Sequence, residues 1–253
     1  MIAESIRNHK KAIIPYVTAG LPNLETTGKI LLALQEAGAA AIEIGIPFSD
    51  PMADGPVLQK ASYMALQSGF KMDDLQHCLK GWSSMLEIPL IVMSYINPLM
   101  RKGLSRTLIS LKDSGVKGVI IPDLPRDAGE IYADCTEIGI DLIRMVAPTT
   151  LPERITKVLS ECSGFVYAVS IKGVTGSRSD LPVEVRSQVR AIKDMTDLPV
   201  CVGFGVSSAS QVENLLAFAD GVIVGSYLMA NIMNAADPVR TAHDTLHGLL
   251  NGS

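Results

Sequence analysis

No basic stripe, no long apolar run and no paired cysteines occur in this chain, and each absence removes a class of protein. Its 22 Lys and Arg are outnumbered by 26 Asp and Glu, interspersed with them for a net charge of −4. Nothing here offers the dense positive face that a nucleic acid or an anionic bilayer selects. The apolar runs are strand-sized and interrupted by Gly or Pro, too short to cross a membrane. The opening MIAESIRNHKK is charged throughout, which fits neither a signal peptide nor an anchor. Cys78, Cys135, Cys162 and Cys201 form no CxxC pair and read as small core residues of a reduced, cytoplasmic protein. His243 and His247 stand four apart with no third metal ligand in view, and a solvated helix face accounts for them. A small molecule is the expected partner.

What is present is a repeat. A short helix to about Asn8 precedes a first strand in IIPYVTAG, Ile13 to Gly20, and a helix through LLALQEA follows. Thereafter helices stop at a Gly and deliver the next strand almost at once, as in EAGAAAIEIG, DSGVKGVIIPD and EIGIDLIRMVAP, with stops at Gly38, Gly115 and Gly139. The third strand reads PLIVMSYIN, ending at Asn97, and later strands begin near Gly164, Val200 and Gly221. The strands are short, rich in Val and Ile and nearly continuous in apolar character, as parallel strands buried on both faces are. Eight such units in 253 residues point to a single (β/α)8 TIM barrel domain over 1–253, with the short N-terminal helix and extra helical segments. An open Rossmann-like sheet is the alternative, weakened because TAGLPN stands where GxGxxG would follow the first strand.

The stretch AIEIGIPFSDPMADGPVLQ, Ala41 to Gln59, organises the chemistry. Ile42, Ile44 and Ile46 share one face of a strand; Glu43 and Gly45 share the other, which in a barrel is also buried. Glu43 is then a carboxyl removed from water with no neighbouring Lys or Arg in sequence, and such a group needs a reason. A loop dense in Pro and Gly follows, carrying Asp50 and Asp54. A satisfied core Glu and ordinary turn aspartates would also explain these residues.

In a barrel the site lies where strands pass into their following loops. Three late strands end in Gly-rich turns: SIKGVTGSR, the GFG of Gly203 to Gly205, and Gly225-Ser226. Their N–H groups could cradle a phosphate, although Gly at strand ends is also ordinary turn chemistry. Aromatic residues are only 5% of the chain, yet Tyr16, Tyr95 and Tyr167 fall near the ends of strands one, three and six. They could wall a flat substrate or be plain packing. Asp123 after Pro122 reads equally as a site residue or a turn former.

These motifs resemble the tryptophan synthase alpha subunit family from end to end. The most specific run is EIGIPFSDPMADGP, Glu43 to Pro56, supported by PYVTAG, YINP, PDLP, YAVSIKGVTGSR, GFGVS and GVIVGS in order. The resemblance implies a lyase that cleaves indole-3-glycerol phosphate to indole and glyceraldehyde 3-phosphate, with Glu43 and Asp54 as catalytic carboxylates. It implies substrate contacts from Tyr16, Tyr95, Tyr167, Thr175, Gly176, Gly205, Gly225 and Ser226. No metal or cofactor is implied in this chain; pyridoxal phosphate is expected only on a partner β subunit, in an α2β2 assembly contacted through Pro47 to Pro56 and SYINPLM. The sequence departs from the family's common pattern at Leu21, Ile171 and Lys172. Two other readings compete: a subunit that activates the β subunit with little lyase activity of its own, and another phosphate-binding barrel such as an isomerase, which would not need the FSDPMADGP loop.

Overall fold

The computed structural model describes residues 1–124, 127–169, 183–203 and 205–252. Eight strands, β1 (Ile13–Thr18), β2 (Ile42–Gly45), β3 (Leu90–Met93), β4 (Gly118–Ile120), β5 (Asp141–Val146), β6 (Val166–Val169), β7 (Val200–Gly203) and β8 (Gly221–Val224), pair in sequence order, and β8 closes on β1. Every pairing is parallel, so the helices between strands must return along the outside. These are α1 (Ile2–Asn8), α2 (Leu24–Glu36), α3 (Pro56–Gln67), α4 (Met72–Met85), α5 (Ile96–Met100), α6 (Leu104–Asp113), α7 (Gly129–Ile138), α8 (Pro152–Ser160), α9 (Val183–Lys193), α10 (Ala209–Leu216), α11 (Ser226–Met233) and α12 (Pro238–Asn251). The barrel and its eight strands are those expected from the repeat.

The alternation along each strand sorts its side chains into two apolar layers. Ile42, Ile44 and Ile46 join an outer layer between sheet and helices that includes Leu31, Leu90, Val119 and Leu142. The inner layer holds Ile14, Ile91, Ile120, Ile143, Phe165 and Ile223. Ile2 and Ile6 of α1 belong to that inner layer too, so α1 stops the end of the barrel where the strands begin. The Ser5 hydroxyl fixes α1 there, donating to the Ala40 carbonyl at 2.6 Å. The interior is thus filled with hydrocarbon from one end, leaving polar side chains only toward the other.

The Gly stops at 38, 115 and 139 adopt φ of 103°, 88° and 77°, the left-handed conformation that releases a helix into a strand. The third strand is shorter than its sequence suggested. It ends at Met93, and Ile96–Met100 turn into α5. Pro98 sits in the first turn of α5, where a missing N–H costs nothing, and the carboxylate of Asp123 accepts the Ile96 N–H at 2.8 Å.

Candidate active site

Glu43 lies in the middle of β2, paired in register with Tyr16 of β1 and Ile91 of β3. It is 1% exposed, and its Oε2 has no hydrogen-bond partner among the described residues. An orphaned oxygen on a buried carboxyl is costly unless the group is neutral or meets a ligand. Burial, and secondarily the charge of Asp54, push the Glu43 carboxyl up to about 8. It therefore stands protonated at neutral pH.

Asp54 arrives from the loop that follows β2. Pro47 and Pro51 deny this loop regular backbone, and its internal bonds are short-range, such as Met52 N–H to the Asp50 carbonyl at 2.9 Å. The Tyr95 hydroxyl holds it from outside, accepting the Ala53 N–H at 2.8 Å. Burial raises the Asp54 carboxyl to about 6, against a hydrogen bond from Tyr95 that favours its ionised form. Two carboxyls in one pocket with different titration points can play acid and base at the same pH. Asp50, the other loop carboxylate, is exposed and engaged by the Ser49 hydroxyl.

Tyr16 and Tyr167 face the same interior. Burial keeps both phenols neutral, with the charges of Asp54 and Glu43 adding to the effect. Their rings need the two glycines beside them. A Cβ on Gly45 would lie 1.9 Å from the Tyr16 hydroxyl, and one on Gly203 would lie 2.6 Å from that of Tyr167. Thr18 donates to the Tyr16 oxygen at 3.5 Å, leaving the phenol's own proton free for another acceptor. Sequence reasoning missed Thr18 and both glycines' steric role; for two of them the signal was there, since Thr18 follows Tyr16 by two residues on β1 and Gly45 follows Glu43 by two on β2.

Across the mouth, Gly225 forms the N-cap of α11 with no side-chain cap, and Ser226 is the first residue of the helix. Uncapped N–H groups at a helix start are donors waiting for an acceptor, and the helix dipole favours an anion there. Gly205 is exposed with φ of 63°. Thr175 and Gly176, with Ile171 and Lys172, lie outside the described residues. The Asp123 carboxylate accepts the Ile96 N–H at 2.8 Å, the structural role that a turn aspartate would take.

The family model for the tryptophan synthase alpha chain matches residues 2–251. The chain belongs to that family. It is 43% identical over 235 residues to the tryptophan synthase alpha chain of Carboxydothermus hydrogenoformans, covering 92% of this chain and 88% of that one. The tryptophan synthase alpha subunit of Pyrococcus furiosus superposes with a TM-score of 0.90 at 37% identity, over 96% of this chain and 98% of that one. Tryptophan synthase from M. tuberculosis in an aminoacrylate-bound form gives a TM-score of 0.88 at 30% identity, covering 99% and 98%.

Among the described residues no group of three or more His, Cys, Asp or Glu could hold a metal, and His243 and His247 simply stack, ring centroids 5.8 Å apart. The four cysteines are free thiols, and burial pushes Cys135 and Cys162 up to about 12, so they act as core atoms. Leu21 is buried in the outer layer. Among the described residues no helix is long and apolar enough to cross a membrane.

Proposed function

We propose that the mouth of this barrel carries out the lyase reaction of the tryptophan synthase alpha subunit, cleaving indole-3-glycerol phosphate with Glu43 as acid and base and Asp54 as electrostatic partner. The observation that carries it is the buried, unpartnered Oε2 of Glu43. Protonated Glu43 gives its proton to indole C3. The positive charge that develops at the ring nitrogen is stabilised by ionised Asp54. The bond from C3 to the glycerol chain then breaks, its electrons returning to the ring, while the hydroxyl on the adjacent carbon passes its proton to the Glu43 carboxylate. Glyceraldehyde 3-phosphate forms, and Glu43 is again an acid. Titration of Asp54 near 6 and Glu43 near 8 favours this pairing of forms at neutral pH.

Tyr16, Tyr95 and Tyr167 wall the indole, and Gly205, Gly225, Ser226, Thr175 and Gly176 hold the phosphate. The reaction draws on no metal or cofactor from this chain, and pyridoxal phosphate belongs to the β subunit that receives the indole in an α2β2 assembly. A face suited to that partner lies beside the loop after β2. A groove of about 750 Å³ is lined there by Pro47, Phe48, Ser49, Asn97, Pro98 and Arg101, and Met52 and Met100 on the same two segments are 83% and 58% exposed. The family match over nearly the whole chain supports one domain, and the free cysteines suit the cytoplasm.

Indole release from indole-3-glycerol phosphate by the purified chain, alone and with its β subunit, tests the reading. Activity that rises with the partner and is lost in Glu43→Gln is the expected result. No release in either condition, with the complex formed, would leave a regulatory subunit instead.

A further inference from the structure

The Tyr95 side chain makes two separate contacts with the loop that follows β2. Its hydroxyl accepts the Ala53 N–H at 2.8 Å, on the residue just before Asp54, and its presence favours the ionised form of the Asp54 carboxyl. Its ring lies against Phe48, with centroids 5.2 Å apart and planes inclined by 31°. One side chain thus grips the loop near its start and again at its catalytic end. Tyr95 is itself 4% exposed and sits at the N-cap of α5. The next residue's N–H is held by Asp123 at 2.8 Å, from the turn after β4. At its other end α5 is tied to α6, where Thr107 donates to the Leu99 carbonyl at 2.9 Å. The loop's own bonds are local: Asp54 N–H reaches only Pro51, at 3.1 Å, and Met52 N–H only Asp50.

We propose that Tyr95 is a positioning residue for Asp54, and that Asp123 positions Tyr95 in turn through the first turn of α5. The proposal rests on the reading of Asp54 as the second carboxylate. It adds a second role to the indole wall that Tyr95 is expected to form. The groups that face Asp54 are Glu43 from β2, Tyr16 from β1, Tyr167 from β6 and Tyr95 beyond β3, with Asp123 behind Tyr95. The charge of Asp54 disfavours that of Glu43, and the two barrel phenols are neutral; Tyr95 is the neighbour that favours the ionised Asp54. Removing the hydroxyl therefore both frees Asp54 to wander and makes its carboxylate harder to form.

The test is Tyr95→Phe, which keeps the ring against Phe48, compared with the parent in the full chain. Lyase kinetics across pH should show kcat lowered about tenfold or more, KM near the parent's, and the acidic limb moved up by about one pH unit. Carbon-13 NMR of the Asp54 carboxyl should show the same upward titration shift. Asp123→Ala should move the limb in the same direction, while Asp123→Asn, which keeps an acceptor for the Ile96 N–H, should restore it; this pair carries the test if Tyr95→Phe does not fold. A raised KM with an unmoved limb, or an Asp54 carboxyl that titrates as in the parent, overturns the proposal. Asp54→Asn separates the two claims: full activity in that variant defeats the catalytic reading of Asp54, while the NMR shift still decides what Tyr95 holds.

Discussion

A carboxyl that is raised by burial leaves a signature in stability as well as in rate. Glu43 titrates near 4.5 without its surroundings and near 8 within them. Between those values the folded chain holds a proton that the unfolded chain releases, so this group's contribution falls as pH rises through the window and levels off above it. Glu43→Gln removes the titration while keeping the shape. In urea unfolding at pH 5, 7 and 9, the variant should gain on the parent with each step up to about 8, toward a ceiling on the order of 5 kcal/mol. A gap that stays constant with pH would mean that Glu43 is not held protonated. This residue was legible in the sequence because alternation placed an acid on a buried face without a basic neighbour. Tyr95 and Asp123 were visible only as candidates. Their joint role depends on contacts spanning 42 and 27 residues, which no local pattern encodes.

At the level of elements, the repeat of helix, Gly stop and apolar strand was enough to count eight strands and close them. It gave the ends of elements less well. The third strand's apolar run continues to Ile96, but Asp123 captures the Ile96 N–H and starts α5 instead; a tertiary bond overrides the local pattern. The role of α1 was equally invisible, since a seven-residue helix with two buried isoleucines looks like any short amphipathic segment. Its place at the closed end makes a separable prediction. Ile6 is 1% exposed within the inner layer, so Ile6→Ala should cost about 2 to 5 kcal/mol in unfolding free energy. Because the filled end of the barrel lies away from Glu43 and Asp54, the variant's lyase pH profile should keep both limbs in place at temperatures where it is folded. A shifted limb would show that the apolar end sets the site's electrostatics, contrary to the layered arrangement.

For the whole molecule, the question is how a surface loop can place the carboxyl proposed as catalytic. Ser49, Asp50, Met52 and Ala53 are exposed while Asp54 between them and α3 is only half so, and the Tyr95 hydroxyl is the anchor from β3's side. A partner that covers the exposed residues would restrict the loop further, and an interaction that favours the catalytic arrangement must raise activity as it binds. Met52 and Met100 are exposed on that face, so they allow association to be weakened apart from chemistry. In Met52→Asp with Met100→Asp, lyase activity of the chain alone should match the parent's. Titrating in the β subunit should activate the parent to a plateau, whereas the double variant should need about tenfold more partner, or more, for half the effect, since each new carboxylate must be buried without a pair. Activation at unchanged β-subunit concentrations would place the partner on another face. The loop would then be ordered by substrate and Tyr95 alone, and coupling between subunits would have to run through a different part of the barrel.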